Sequence, residues 1–258
     1  MQTFSKYSSW IFDRIRFARN IGYRFAALWI IAEVLCPEFR MRYNNINWMT
    51  DESFNRYLRF VEKPESINSG RRWMVYQLLR LTKNTPGDTA ECGAYRGASS
   101  YLICSFIEHA TLPKIHHVFD SFEGLSQPVG LDGAHWRKND LRADATDAKK
   151  TLERFRKVEF YKGWIPDRFP EVADRHFSFV HIDVDIYEPT RDSMAFFYPR
   201  LSDGGIILCD DYGFKSCPGA TKAVDDFLRD KPEKMVALSD GGGFMIKGVH
   251  TSPPYSLD

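Results

Sequence analysis

The sequence lacks a long apolar run and an excess of charge of either sign. Its 35 Lys and Arg residues face 34 Asp and Glu residues, for a formal net charge of +1. No overall field therefore draws the chain to nucleic acid or to an anionic membrane. The most apolar stretch, residues 25–36, is shorter than the roughly 20 residues of a membrane-spanning helix and contains Glu33. We predict a soluble protein that does not bind nucleic acid.

Cysteine is also scarce, and its spacing excludes the common cysteine-based sites. No two of the five cysteines form a C-x-x-C pair, and no Cys/His spacing resembles a zinc site. The number is odd and no secretory signal is visible, which indicates reduced thiols and a cytoplasmic protein. The five are Cys36, Cys92, Cys104, Cys209 and Cys217.

Residues 1–85 are predicted to form a helical N-terminal extension that acts as a substrate lid or an oligomer contact. Apolar residues recur at three- and four-residue spacing in 73–83, and four arginines precede the apolar stretch 25–36. Two interpretations of that stretch are open. It forms a peripheral membrane contact, or it packs on the core or on a second subunit, as in a homodimer. The second interpretation is favoured.

From Thr89 onwards, short β-branched or apolar runs alternate with helical segments, which predicts an α/β domain over 86–258. Strands are expected at 89–94, 115–120, 158–163, 177–185 and 204–211. Two further runs around the turn residues Asp240, Gly241 and Gly242 predict a closing hairpin. Residues 123–157 form a long connection, and connections of this length are usually functional.

The segment 91–97 follows the first strand and opens a helix. Gly93 and Gly97 allow the backbone to pass close to a ligand, and free amides near Ser99 and Ser100 can bind a carboxylate. The segment lacks the G-x-G-x-x-G spacing of a dinucleotide site. A turn without a ligand is the alternative.

Asp120 ends the second strand. An acid at this position can accept hydrogen bonds from both hydroxyls of a ribose, as in other nucleoside-binding α/β folds. The alternative is a helix N-cap.

Four aspartates follow two adjacent strands: Asp183 and Asp185 after the fourth, and Asp210 and Asp211 after the fifth. If the fourth strand stays regular, the first two share a face; the second two share one only if the chain turns there. Carboxylates at this density favour a hard cation, and ligand oxygens without Cys or His indicate Mg²⁺, Mn²⁺ or Ca²⁺ rather than zinc. Solvated loop acids and helix caps are the alternative.

The chain resembles the macrocin O-methyltransferase family, bacterial enzymes that methylate sugar hydroxyls of natural products. The resemblance covers roughly 89–247 in family order. It is carried by AECGAYRGASS, VFDSFEGL, YKGWIPDRFP, FVHIDVDIYEPT and YPRLSDGGIILCDDYG. It implies a Rossmann-like class I methyltransferase fold, with a mostly parallel seven-stranded sheet, a C-terminal β-hairpin and helices on both faces.

The resemblance also implies roles for individual residues. Mg²⁺ or Mn²⁺ would be held by Asp183, Asp210 and Asp211, and Asp185 would be the general base. S-adenosylmethionine would be bound by Glu91, Gly93, Tyr95, Gly97, Ser99, Asp120, Ser121, Gly163, Trp164 and Asp183. The insertion DGAHWRKND departs from familiar members of the family.

We therefore expect methyl transfer to a hydroxyl of a sugar or glycosylated metabolite, with the metal binding two neighbouring hydroxyls of the acceptor. Tyr187, His181 and His135 are further candidates for the proton acceptor. Three alternatives are open: a catechol or phenol acceptor, a non-catalytic glycan-binding or scaffold protein, and a nicotinamide-dependent sugar oxidoreductase. The missing G-x-G-x-x-G and the closing hairpin disfavour the last.

Overall fold

The computed structural model describes residues 51–61 and 69–252, together with the single positions 27, 30, 31, 34 and 48. The chain divides into two compact units, Met1–Asn55 and Arg56–Asp258. In the first, the Asp51 carboxylate accepts a hydrogen bond from the Phe54 amide and so caps a helix start. The second unit holds the sheet. The domain boundary expected near residue 85 stays a prediction.

Most of the apolar segment 25–36 lies outside the described residues. Its four described positions are helical, and Ile30, Ile31 and Val34 among them are exposed. In the part of the chain described here, no helix has the length and apolarity to cross a bilayer. Its contact with a membrane or a second subunit stays a prediction.

The described elements with defined bounds include six α-helices and seven strands. The helices are α1 Glu52–Val61, α2 Ser69–Leu81, α3 Ala98–Glu108, α4 Ala145–Thr151, α5 Tyr187–Phe197 and α6 Pro218–Leu228. The strands are β1 Asp88–Cys92, β2 His116–Asp120, β3 Val158–Lys162, β4 Phe177–Ile182, β5 Leu201–Cys209, β6 Val236–Ala237 and β7 Gly243–Ile246.

The strands form one sheet in the order β3-β2-β1-β4-β5-β7-β6. The first five are parallel, β7 runs antiparallel to β5, and β6 pairs with β7 as a hairpin. The predicted fold class is confirmed. The strand order reverses between β1 and β4, and in open α/β sheets ligands bind at the carboxyl ends beside such a reversal.

Both faces of the sheet are covered, because successive residues of a strand point to opposite sides. Val118 of β2 packs with Cys104 of α3 and Leu152, whereas its neighbour Phe119 lies in a larger cluster with Phe197 of α5. Burial on both faces holds the carboxyl ends of the parallel strands in fixed positions.

The ends of β4 and β5 lie earlier than the sequence prediction, and both differences shape the site. β4 ends at Ile182, three residues before the predicted end, and Asp185 has a left-handed backbone (φ 62°). β5 ends at Cys209, and a turn begins at Asp210. The fourth strand thus does not stay regular through Asp185, so the condition under which Asp183 and Asp185 share a strand face is not met, whereas the turn that Asp210 and Asp211 require is present.

Candidate active site

The loop after β1 is built on two glycines with left-handed backbones, Gly93 (φ 83°) and Gly97 (φ 82°). A side chain at Gly93 would overlap the carbonyl oxygen of Asp183, so this glycine lets the ends of β1 and β4 approach each other. Gly97 lies directly before α3 and contacts α4 at Ala148. Each glycine is accounted for by the protein's own packing, and the loop they form lies at the ligand-binding edge of the sheet.

Asp120 ties this loop to the end of β2. Its Oδ2 accepts hydrogen bonds from the backbone amides of Ala94 (2.7 Å) and Tyr95 (2.9 Å), and its Oδ1 accepts one from Phe122 (2.6 Å). Burial raises the pKa of Asp120, while these amides oppose the rise. Two carboxylate oxygens can accept about four hydrogen bonds, so Asp120 keeps capacity for a ligand hydroxyl.

Glu91 lies beneath the loop with its side chain fully buried. It accepts a hydrogen bond from Ser100 Oγ, and its Oε1 lies 2.8 Å from His181 Nδ1. Burial by itself raises the pKa of Glu91, but the rings of His116 and His181 outweigh it and hold the pKa well below its usual range. The contacts of Glu91 are thus to the protein interior, and its predicted contact with the cofactor stays a prediction.

The remaining predicted cofactor residues lie on the same edge. Ser121 Oγ donates to the Gly124 carbonyl (3.0 Å), and the Gly163 amide donates to the Asp120 carbonyl (3.1 Å), which joins the ends of β2 and β3. Tyr95 is exposed, Ser99 is buried, and Trp164 is half-buried.

Asp211 links the two acidic turns, which are the turn after β4 with Asp183 and Asp185 and the turn after β5 with Asp210 and Asp211. Its Oδ2 accepts hydrogen bonds from the backbone amides of Val184 (3.1 Å) and Asp185 (2.7 Å). This contact pairs one turn with the other and stabilises the left-handed backbone of Asp185. Burial and the charge of Asp183 raise the pKa of Asp211 to about 7.

A residue that the sequence reasoning missed enters this cluster from α2. Arg71 Nη2 forms an ion pair with Asp210 Oδ2 and lies 3.9 Å from both Asp183 Oδ1 and Asp211 Oδ1. The same nitrogen donates to the backbone carbonyl of Asp210 (3.1 Å). One cationic nitrogen thus stands within 4 Å of all three predicted metal ligands, at a point where a single cation can contact each of them.

The carboxylates also have neighbours outside the predicted trio. His181 Nε2 lies 3.6 Å from Asp210 Oδ1, is buried and has no hydrogen-bond partner. Two groups have ligand atoms within 4.8 Å of one another: His181, Asp183 and Asp210 form one, and Asp185, Asp211 and Cys217 form the other. Asp211 therefore falls in a different group from Asp183 and Asp210. The oxygens suit a hard cation of the Mg²⁺ or Mn²⁺ class, and Asp183, Asp210 and Asp211 stay its predicted ligands.

Asp185 is 8% exposed and lies beside Cys217, whose Sγ is 3.7 Å from Asp185 Oδ1. Burial, followed by the charges of Asp211 and Asp183, raises the pKa of Asp185 to about 9. Two like charges in one partly enclosed site disfavour ionisation of both. A cation among these acids would favour the ionised form of Asp185, which is the form that accepts a proton.

The long connection between β2 and β3 reaches the acidic cluster. Asp132 is buried, and its carboxylate accepts hydrogen bonds from the backbone amides of Tyr187 (2.6 Å) and Val129 (2.7 Å). Trp136 Nε1 donates to Cys217 Sγ (3.3 Å). These contacts hold the connection against the start of α5 and beside the acids.

Residues 126–138 of this connection form a loop, here called the excursion. Two backbone hydrogen bonds close the excursion at its base, here called the neck. The Leu125 amide donates to the Asp140 carbonyl, and the Asn139 amide donates to the Leu125 carbonyl, both at 2.9 Å. His135 lies within the excursion, is exposed and packs edge-on against Trp136. His181, in contrast, is fully buried, and Tyr187 is half-buried at the start of α5. Among these further candidates for the proton acceptor, only His135 and Tyr187 have access to solvent.

The chain is similar to known O-methyltransferases in sequence and in fold. The chain is 30% identical over 177 residues to demethyldecarbamoylnovobiocin O-methyltransferase of Streptomyces niveus, covering 63% of this chain and 66% of the relative. It is 31% identical over 153 residues to 8-demethyl-8-(2,3-dimethoxy-alpha-L-rhamnosyl)-tetracenomycin-C 4'-O-methyltransferase of Streptomyces olivaceus, covering 54% of this chain and 58% of that protein. The chain therefore spans less than two thirds of the length of these curated relatives.

A solved structure of the O-methyltransferase NovP superposes with a TM-score of 0.61 at 27% identity, over 70% of this chain and 81% of that one. The sequence profile of the macrocin O-methyltransferase (TylF) family matches residues 77–237, more than half of the chain and every element from β1 to β5. The chain belongs to the macrocin O-methyltransferase family.

Proposed function

We propose that this protein transfers the methyl group of S-adenosylmethionine to a hydroxyl of a sugar or glycosylated metabolite, with the help of a divalent cation. The observation that carries the proposal is the convergence of Asp183, Asp210 and Asp211 on one cationic nitrogen of Arg71. They converge beside the loops that Asp120 ties together, in a chain of a methyltransferase family.

The cofactor would lie across the loops after β1, β2 and β3. Asp120 would accept hydrogen bonds from the ribose, since its carboxylate already fixes the Ala94 and Tyr95 amides and keeps capacity to accept. The left-handed loop from Gly93 to Gly97 would border the methionine part of the cofactor. S-adenosylmethionine would supply a sulfonium methyl group. The acceptor oxygen would form a bond to the methyl carbon while the sulfur–methyl bond breaks, and S-adenosylhomocysteine would leave as a neutral thioether.

The acceptor would lie beside the acidic turns. A divalent cation held by Asp183, Asp210 and Asp211 supplies Lewis acidity that lowers the pKa of a sugar hydroxyl. Asp185 would accept the hydroxyl proton on a carboxylate oxygen as the oxygen–methyl bond forms. The hydrogen bond from the Asp185 backbone amide to Asp211 would keep the Asp185 carboxylate beside the three proposed ligands.

A sugar acceptor is supported by the name of the Streptomyces olivaceus relative, which describes 4'-O-methylation of a compound that carries a rhamnosyl group. The long connection anchored by Asp132 and Trp136 would form the wall on the acceptor side. Because a catechol also presents two neighbouring oxygens, it is the acceptor against which the sugar must be compared.

The test is methyl transfer from isotopically labelled S-adenosylmethionine by the purified full chain. The acceptor panel contains rhamnosides with two neighbouring hydroxyls, matched deoxy-rhamnosides that lack one of them, and catechols. We expect labelled product from the vicinal diols, at least a 100-fold loss in EDTA, and recovery with Mg²⁺ or Mn²⁺. Full activity in EDTA contradicts the cation, and exclusive methylation of catechols contradicts the sugar acceptor.

A further inference from the structure

Arg71 is the cation of the acidic cluster in this structure, and it reaches the cluster from the first turn of α2. Its Nη2 contacts oxygens of Asp183, Asp210 and Asp211, and it also donates to the Asp210 carbonyl. The side chain is 16% exposed, so the charge lies in a partly desolvated position where its attraction to the acids is strong.

The start of α2 lies close to the hairpin loop and carries Arg71. A side chain at Gly70 would overlap the carboxylate of Asp240, so the glycine lets the helix approach the hairpin loop before β7. Ser69 is buried at the first position of the helix. The first turn of α2 therefore places Arg71 beside the acids.

The guanidinium is nevertheless poorly matched to the cluster. The same nitrogen, Nη2, makes the ion-pair contact with each of the three acids, although arginine pairs best with a carboxylate through two parallel N–H donors. Its Nε is buried and has no hydrogen-bond partner. One positive charge also faces three carboxylates, so Arg71 alone does not neutralise the cluster when all three are ionised.

The same guanidinium also contacts an aromatic ring. The guanidinium carbon of Arg71 is 4.8 Å from the centre of the Phe214 ring, in the loop after β5. A ring face attracts a guanidinium and holds it without the acids. Arg71 can thus leave the carboxylates without losing every favourable contact.

We propose that Arg71 is a displaceable internal counter-ion, which neutralises Asp183, Asp210 and Asp211 until a divalent cation takes its place. The inference rests on the cation site of the proposed function. Mg²⁺ or Ca²⁺ binds its oxygen ligands at roughly 2.0–2.6 Å. Arg71 Nη2 already lies beside the same carboxylate oxygens, so Arg71 and the divalent cation compete for them. Cation binding therefore releases Arg71 from the cluster, and Arg71 lowers the apparent affinity for the cation.

The first test is Mn²⁺ binding, measured from the electron paramagnetic resonance signal of free Mn²⁺ in titrations of the full chain. Arg71→Gln removes the competing charge and is expected to tighten Mn²⁺ binding at least about fivefold, the factor that corresponds to about 1 kcal/mol for a unit charge roughly 4 Å away. Arg71→Lys keeps the charge and is expected to stay within about threefold of the wild type. Arg80→Gln, the same change at an exposed position of α2, is the matched control and leaves the affinity unchanged.

Equal or weaker Mn²⁺ binding by Arg71→Gln overturns the displacement. If the wild type, Arg71→Gln and Asp210→Asn all fail to bind Mn²⁺, the cation of the proposed function is wrong as well. If the wild type binds Mn²⁺, Asp210→Asn does not, and Arg71→Gln equals the wild type, the cation site stands and only the inference about Arg71 fails.

A second readout needs no variant to bind the metal. The ¹H–¹⁵N signal of Arg71 Nε is assigned as the arginine side-chain signal that is missing in Arg71→Gln or, if that variant does not fold, in Arg71→Lys. Saturating Mg²⁺ is expected to shift this signal in the wild type, because the guanidinium changes its environment. An unshifted signal at saturation overturns the proposal.

Discussion

The carboxylate of Asp211 accepts a hydrogen bond from the backbone amide of Asp185 (2.7 Å), 26 residues earlier in the chain. The same oxygen accepts one from Val184. Asp211 is thus a structural acceptor for the turn after β4 as well as a proposed metal ligand. Its two roles can be separated by substitution.

Asp211→Asn keeps an oxygen that can accept from both amides, whereas Asp211→Ala leaves the two buried amides without an acceptor. We expect both variants to lose cation binding. The alanine variant is expected to be less stable than the asparagine variant by about 1–3 kcal/mol, the cost of buried unsatisfied donors. Chemical denaturation in EDTA measures the difference, and equal stabilities would mean that the turn does not depend on this acceptor.

Asp185→Asn removes the proposed proton acceptor and keeps the shape of the side chain. Turnover is expected to fall by about 10²–10⁴-fold, the usual contribution of a general base, with Mn²⁺ affinity within about threefold of the wild type. Single-turnover rates and Mn²⁺ titrations measure the two effects. Asp192→Asn, on α5 and paired with Arg191, is the matched control. An unchanged rate in Asp185→Asn removes this residue as the base.

Asp120→Ala removes the acceptor for the Ala94 and Tyr95 amides and for the proposed ribose hydroxyls. We expect the affinity for S-adenosylhomocysteine to fall at least about tenfold, since hydrogen bonds to a charged group are worth roughly 1.5–3 kcal/mol. Isothermal titration calorimetry measures the affinity, with Asp174→Asn at an exposed position as the control. Wild-type affinity in Asp120→Ala would place the ribose elsewhere.

Glu91 links the fold to pH. Its pKa in the folded protein lies below its usual value of 4.5, so the unfolded chain binds more protons over the interval between the two values. The stabilisation is present above pH 4.5 and is lost as the pH falls through the folded pKa.

Glu91→Gln is expected to flatten the acid limb of the stability curve by up to one proton, about 1.4 kcal/mol per pH unit. Urea denaturation between pH 3 and pH 6 measures the slope. Glu153→Gln, an exposed glutamate, is the control. A slope that Glu91→Gln does not change would mean that other groups dominate acid unfolding.

The sequence predicted where the strands lie along the chain, because buried strands leave short apolar runs, and it predicted the closing hairpin from its turn residues. Its errors lie at strand ends. β5 begins at Leu201, three residues before the predicted Gly204, since Ser202 and Asp203 interrupt the apolar run. α6 begins at Pro218, and a proline in the first turn of a helix costs no hydrogen bond because the amide there has no partner within the helix.

The site was predictable where it follows strand ends and unpredictable where it depends on distant segments. Asp120, Asp183, Asp210 and Asp211 follow strands that the sequence reveals. Arg71 is separated by 139 residues from Asp210, and no local pattern around it differs from that of an ordinary helical arginine. The contacts of Trp136 with Cys217 depend in the same way on how a long connection folds back.

The neck at Leu125 and Asn139 has a consequence for engineering. Backbone hydrogen bonds at the neck hold the two ends of the excursion together. They offset the entropic cost of closing the loop, so closure does not depend on the residues between them. Residues 126–138 therefore form an exchangeable cassette. A graft from a relative that keeps Asp132 and Trp136 retains the contacts with Tyr187 and Cys217 beside the acidic turns. Under the proposed function, we expect such a graft to change the range of accepted glycosides.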